Sequence, residues 1–96
     1  MSNPKDTARP VTDRIVQIVE EETGYDWHLH KNDPDKIVMN SEIYQFRLVW
    51  VDDRWRFEID DQTYNGENPR WALGNISTVD EVYDSLPEFI PVEIRS

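Results

Sequence analysis

The sequence predicts a single α+β domain: an N-terminal helix, a four-stranded antiparallel β-meander and a short C-terminal helix, with room for an extra edge strand. Three observations predict it. Apolar residues recur at helical spacing over residues 11–19 and again over 79–86. Between those segments they alternate at period two. The alternation is interrupted by short polar clusters of the kind that make turns.

The clearest alternation runs from Ile43 to Asp60. Tyr44, Phe46, Leu48 and Trp50 alternate with Gln45, Arg47, Val49 and Val51; after Asp52-Asp53, Trp55, Phe57 and Ile59 alternate with Arg54, Arg56, Glu58 and Asp60. A two-residue Asp-Asp loop sets Val51 opposite Arg54, Trp50 opposite Trp55, Leu48 opposite Phe57 and Phe46 opposite Ile59. All the large apolar residues then share one face, and Arg47 meets Glu58 on the other. Asp-Asp lacks the glycine that tight hairpin turns favour, although Asp tolerates left-handed backbone better than most residues. A bulged turn is the alternative.

Upstream, residues 1–9 read as a flexible polar tail and residues 10–96 as the folded domain. Val11, Ile15, Ile18 and Val19 form a helical stripe, with Thr12 as N-cap and Gly24 as C-terminal stop. Glu20-Glu21-Glu22 sets three negative charges on the last turn, where the helix dipole is already negative. "YDWHLHK" reads as a strand with Tyr25, Trp27 and Leu29 on one face and Asp26, His28 and His30 on the other. A loop "NDPD" leads to the strand "KIVMN", pairing Leu29 with Ile37 and Trp27 with Met39. Asn40-Ser41 then turns the chain into a strand beginning at Glu42, which sets Ile37 beside Tyr44 and Val38 beside Ile43.

After Asp61 the Asn65-Gly66 pair and Pro69 allow at most a short strand or a loop, anchored by Trp71 and Leu73. Thr78 with Glu81 forms a capping box for a helix carrying Val79, Val82, Tyr83 and Leu86, which Pro87 should stop. The tail "FIPVEIRS" suits an edge strand, since Pro91 is incompatible with a central one. Two amphipathic helices thus cover an aromatic sheet face, and that requirement concentrates the aromatics in one hairpin.

The chain has 96 residues, no cysteine, 20 Asp plus Glu and 10 Lys plus Arg, for a net charge of −10. This length supports one modest core. Lack of cysteine rules out disulfide scaffolds and thiolate zinc sites and suits a reducing compartment. With no apolar leader or membrane-length run, the sequence reads as cytoplasmic and independent of membranes. Dense carboxylates, Asp outnumbering Glu, and only three lysines suit a salt-adapted (halophilic) organism, where they keep a surface hydrated and mutually repelling. A basic partner surface, or mimicry of nucleic acid, is the alternative explanation of the acidity.

Two surfaces carry candidate chemistry. Asp26, His28 and His30 are a weak metal-ligand set of two imidazoles and a carboxylate, and would be the centre of a small metal-dependent hydrolase. The simpler account makes them the solvent side of a strand. Arg47, Val49, Val51, Arg54 and Arg56 share the sheet face opposite the aromatics, giving arginine anchors around an apolar centre as protein interfaces do. Ordinary pairing of the arginines with Glu58 and Asp60 is the competing account.

Asp33, Asp35, Asp52 and Asp53 fall at one end of the meander without matching a calcium-loop pattern. Nucleic acid fits poorly, because the aromatics belong to the core face and the net charge is repulsive. No glycine-flanked serine, phosphate-cradling loop or distinctive carboxylate pair indicates catalysis, and no cofactor is expected. The sequence therefore favours a small acidic interaction or adaptor domain that binds a protein partner or self-associates, with a two-fold homodimer among the options.

The carboxylate excess predicts that the melting temperature rises from low salt to molar potassium chloride, as screening relieves self-repulsion. Calorimetry across that range tests it, and a flat or falling melting temperature would defeat the salt-adaptation reading.

Overall fold

The computed structural model describes residues 9–62 and 69–96. Helix α1 (Thr12–Thr23) leads into five strands, β1 (His28–Asp33), β2 (Lys36–Asn40), β3 (Tyr44–Val51), β4 (Arg54–Asp61) and β5 (Trp71–Ile76); helix α2 (Val79–Phe89) and a 3₁₀ turn (Val92–Ile94) close the chain. The strands form one antiparallel sheet in the order β1-β2-β3-β4-β5. Both helices pack on one face of it, giving a two-layer α+β domain.

The β3–β4 hairpin has the register that alternation predicts, from Val51–Arg54 through Trp50–Trp55, Leu48–Phe57 and Phe46–Ile59, with Arg47 facing Glu58. Asp52 and Asp53 both adopt positive φ, 52° and 61°. This is the left-handed pair of a tight hairpin turn, whose twist matches that of the strands. Phe46, Leu48, Trp55, Phe57 and Ile59 are buried, with Tyr44 and Trp50 packed at their margin. Ile15 and Val19 of α1 and Val82 and Leu86 of α2 cover them.

The two earlier hairpins keep their predicted order but change register. Leu29 pairs with Met39, not Ile37, because the turn is only Pro34-Asp35 and Asn32 and Asp33 belong to the strand. A bulge at His30 absorbs the odd residue. Trp27 precedes β1 and is buried, its indole Nε1 donating to Thr23 Oγ1 at 2.9 Å; it closes the α1–β1 connection and does not pair with Met39. Leu29 is left 49% exposed.

Ile37 pairs with Leu48 and Val38 with Arg47, a displacement of four residues from the expected Tyr44 and Ile43 partners. Ser41 is the cause. Its hydroxyl accepts from Tyr44 N at 2.9 Å while its own N donates to Tyr44 O at 2.9 Å, so the turn spans Ser41–Ile43 and β3 begins at Tyr44 instead of Glu42.

Several termini also depart from expectation. Val11, not Thr12, is the N-cap of α1, and it makes no side-chain cap bond. Gly24 ends the helix as predicted, at φ 74°, and a Cβ there would lie 3.0 Å from Ser96 Cβ. All three terminal glutamates have found donors: Glu20 Oε2 accepts from Trp27 N at 3.1 Å, Glu21 Oε1 from Gln17 Nε2 at 3.3 Å and Glu22 Oε1 from Arg95 Nη1 at 2.6 Å. The expected clash with the helix dipole is therefore partly offset.

Thr78 Oγ1 accepts from Glu81 N at 3.1 Å as a capping box requires, but Glu81 reaches back to Ser77 N. Pro87 lies inside α2 and does not stop it. Being in the last turn, it leaves only a few residues to follow, and Arg95 serves the carbonyls there, donating to Pro87 O and, at 3.0 Å, to Ile90 O.

β5 is a full fifth strand, anchored by buried Ile76 and half-buried Trp71, whereas Leu73 is exposed. The C-terminal segment forms a 3₁₀ turn that buries Ile94 under the helices and makes no edge strand. Of the expected polar tail, residues 1–9, all but Arg9 lie outside the described residues. Arg9 is tied down, with Nη2 donating to Asn32 Oδ1 and Asp33 O, both at 2.7 Å. The Asn65-Gly66 turn also lies outside the described residues.

Trp55 stacks edge-on against Trp50 with ring centroids 4.9 Å apart and is 1% exposed. Trp55→Ala should cost about 3–5 kcal/mol, measurable by chemical denaturation. A loss below about 1 kcal/mol would place the core elsewhere.

Candidate functional site

No described element covers the second face of the sheet. Its rows follow from the strand registers. Lys31, Val38, Arg47, Glu58 and Ala72 stand side by side across the five strands, and Lys36, Val49 and Arg56 form the next row, with Val51 and Arg54 beyond. The face carries the five predicted interaction residues together with Lys31 and Lys36, which sequence reading passed over. Their parity with Val38 in β2 was the available signal.

Arg47 organises this surface. Nε donates to Glu58 Oε1 at 2.8 Å, Nη1 to Gln45 Oε1 at 2.9 Å and Nη2 to Asp60 Oδ2 at 2.5 Å, with its side chain only 17% exposed. Burial acts against the charged form. Hydrogen bonds and Coulomb attraction from Glu58 and Asp60 outweigh it, and the guanidinium pKa rises above its ordinary value. Arg56 Nε holds the other oxygen of Glu58 at 3.0 Å, and the backbone N of Arg70 holds Asp60 Oδ1 at 2.8 Å. Both oxygens of each carboxylate are thus engaged.

Arg54 Nη1 donates to the Asp53 carbonyl at 3.0 Å, and the residue is exposed to solvent. Val38 is 4% exposed, Val49 is half-buried and Val51 is 49% exposed. The arginines consequently divide by role: Arg47 is built into the sheet, while Arg54 and Arg56 face outward.

Asp26, His28 and His30 are all exposed. His28 pairs with Asn40, His30 occupies the bulge and Asp26 precedes the strand, so the three do not form one regular row. Asp26 and His28 line a cavity of about 280 Å³ with Gly24, Tyr25, Ser41, Glu42 and Ile43. Among the described residues no group of three or more His, Asp or Glu side chains is placed to hold a metal ion. The acidic turns do share one end of the meander, where Trp50 N donates to Asp35 O at 2.8 Å. On the helix side, burial first, then the neighbouring Tyr25 and Asp61, push the Tyr44 phenol above its usual pKa.

These features define a two-layer α+β domain with an open, arginine-bearing sheet face. No protein-family model, curated protein or solved structure matches the chain. No helix among the described residues is long and apolar enough to cross a membrane.

Arg47→Met should destabilise the protein by about 1–3 kcal/mol, because it strands two largely buried carboxylates. Adding Glu58→Gln should recover part of the loss in a double-mutant cycle. An unchanged unfolding midpoint in Arg47→Met would show that the network contributes no stability.

Proposed function

We propose that this chain is a small acidic protein-interaction domain of a salt-adapted cytoplasm, docking a protein through the open sheet face around Val49, Val51, Arg54 and Arg56. The observation that carries this reading is the reversal of charge across the sheet. Helices α1 and α2 hold eight acidic residues (Asp13, Glu20, Glu21, Glu22, Asp80, Glu81, Asp84 and Glu88) against one basic residue, Arg14. The open face holds Lys31, Lys36, Arg47, Arg54 and Arg56 against Asp33, Glu58 and Asp60.

Half of the chain's ten basic residues therefore sit on the one face that no described element covers. A solvated face needs neither valines nor a concentration of arginine, whereas an interface uses both: valine gives up water readily, and arginine forms directional bonds to carboxylates. Arg47 holds Glu58 and Asp60 in place and positions the face; Arg54 and Arg56 are the contacting groups.

Arg54→Glu combined with Arg56→Glu should leave the circular dichroism spectrum that of a folded domain, because neither side chain is buried, with the melting temperature lowered by loss of the Arg56–Glu58 bond. It should abolish association, read as sedimentation of the purified protein and as pull-down of its partner. Unchanged association would sink the reading, and so would an unfolded double variant, since the two arginines would then be structural.

A further inference from the structure

Lys36, Val49 and Arg56 stand abreast on neighbouring strands, and Val51 lies beside Arg54 at the end of the same stripe. An aliphatic strip thus runs along β3 with a cation on either side. Neighbouring strands are about 4.8 Å apart, so the flanking cations arise about 10 Å from each other. Glu58 and Asp60 are saturated by Arg47, Arg56 and the Arg70 backbone. The outward Arg54 and the Nη groups of Arg56, whose side chain is 43% exposed, remain able to take carboxylates from outside. Next to Arg56, Gly74 carries no side chain to block approach over β5.

Building on the interaction reading, we propose that the partner is an acidic segment of another protein in which carboxylates flank an aliphatic side chain. The aliphatic group would seat on Val49 and Val51, and the carboxylates would bond Lys36 on one side and Arg54 and Arg56 on the other. Desolvation by the aliphatic contact shields these ion pairs from salt, as a partly buried pair is screened less than an exposed one.

A second copy of this chain fits less well. Two open faces brought together would set net positive charge against net positive charge. The helix layer offers carboxylates, but every exposed position within α1 and α2 is polar or charged, and its exposed valines, Val11 and Val92, stand outside the two helices. Stacking of that kind would also propagate without closing. A nucleic acid has no aliphatic side chain to seat on Val49 and Val51, and the strand registers place Tyr44, Phe46, Trp50, Trp55 and Phe57 on the opposite face, away from any base that could stack.

The test is titration of the isotope-labelled full chain with a synthetic peptide bearing two central leucines flanked on each side by two glutamates, followed by NMR. Saturable binding is expected, with shifts confined to the open face of β2, β3 and β4. Replacing the peptide's glutamates by lysine, or its leucines by serine, should weaken binding at least about tenfold, the equivalent of 1.4 kcal/mol. Lys36→Glu with Arg56→Glu should abolish it while the rest of the spectrum stays dispersed.

Equal binding of the lysine peptide would overturn the proposal. If the peptide fails to bind while the wild-type chain self-associates and the Arg54→Glu, Arg56→Glu variant does not, the acidic-segment partner falls and the interaction face stands. If neither the peptide nor a second copy responds to the face variants, both fall.

Discussion

The turn at Asp52-Asp53 is the constraint on which the two faces of this molecule depend. Two successive residues in left-handed conformation close the hairpin in the minimum length and with the twist of the strands it joins. Once Val51 lies opposite Arg54, every further pair follows, and Phe46, Leu48, Phe57 and Ile59 are committed to one side while Arg47, Glu58 and Asp60 are committed to the other. A slip of one residue in either strand would mix the sets and bury charge. The hydrophobic floor and the guanidinium network are therefore two consequences of one turn.

Among the described residues only the aromatic side of the sheet is covered, and covering it takes a helix from each side of the sheet segment in the chain. α1 and α2 supply Ile15, Val19, Val82 and Leu86, the α2 C-cap adds Ile90 and the C-terminal turn Ile94. Arg95 bonds the end of α2 and Glu22 at the end of α1, while Ser96 N donates to Glu22 O at 3.2 Å. The last residues thus act as a clasp between two helices. The glutamates that look unfavourable against the α1 dipole are in part the acceptors for that clasp and for Trp27.

With all helical cover on one side, the other side must be stable in the open. Large apolar groups are kept off it, and its buried charge is compensated internally through Arg47. What remains outward is a valine strip and cations on a chain that is elsewhere strongly acidic.

How much of this was legible in the sequence depends on what each signal encodes. Alternation encodes parity, so it assigned Phe46, Trp55 and Phe57 inward and Arg47, Val49, Arg54 and Arg56 outward. Parity also placed Lys36 with Val38, although that consequence was not drawn. Alternation does not distinguish registers that differ by an even number of residues, and the displacements at Leu29 and Ile37, by two and by four, were of that kind.

The even slips were decided by contacts formed only in three dimensions: the Ser41 hydroxyl closing its own turn, and Trp27 drawn to Thr23 on α1. Likewise, Arg95 takes the Pro87 and Ile90 carbonyls at the end of α2 and so holds the C-terminal turn, with Ile94 buried, against the helices. Helical and strand periodicities, the αL glycine at position 24 and the Thr78 cap are local, and the sequence by itself determined them. The β1–β2 and β2–β3 registers, the clasp at the C-terminus and the division between built-in and outward arginines required the tertiary structure: the registers depend on which short-range side-chain bonds form at Ser41 and Trp27, a choice parity does not encode, and the clasp and the Arg47 network on partners distant in the chain.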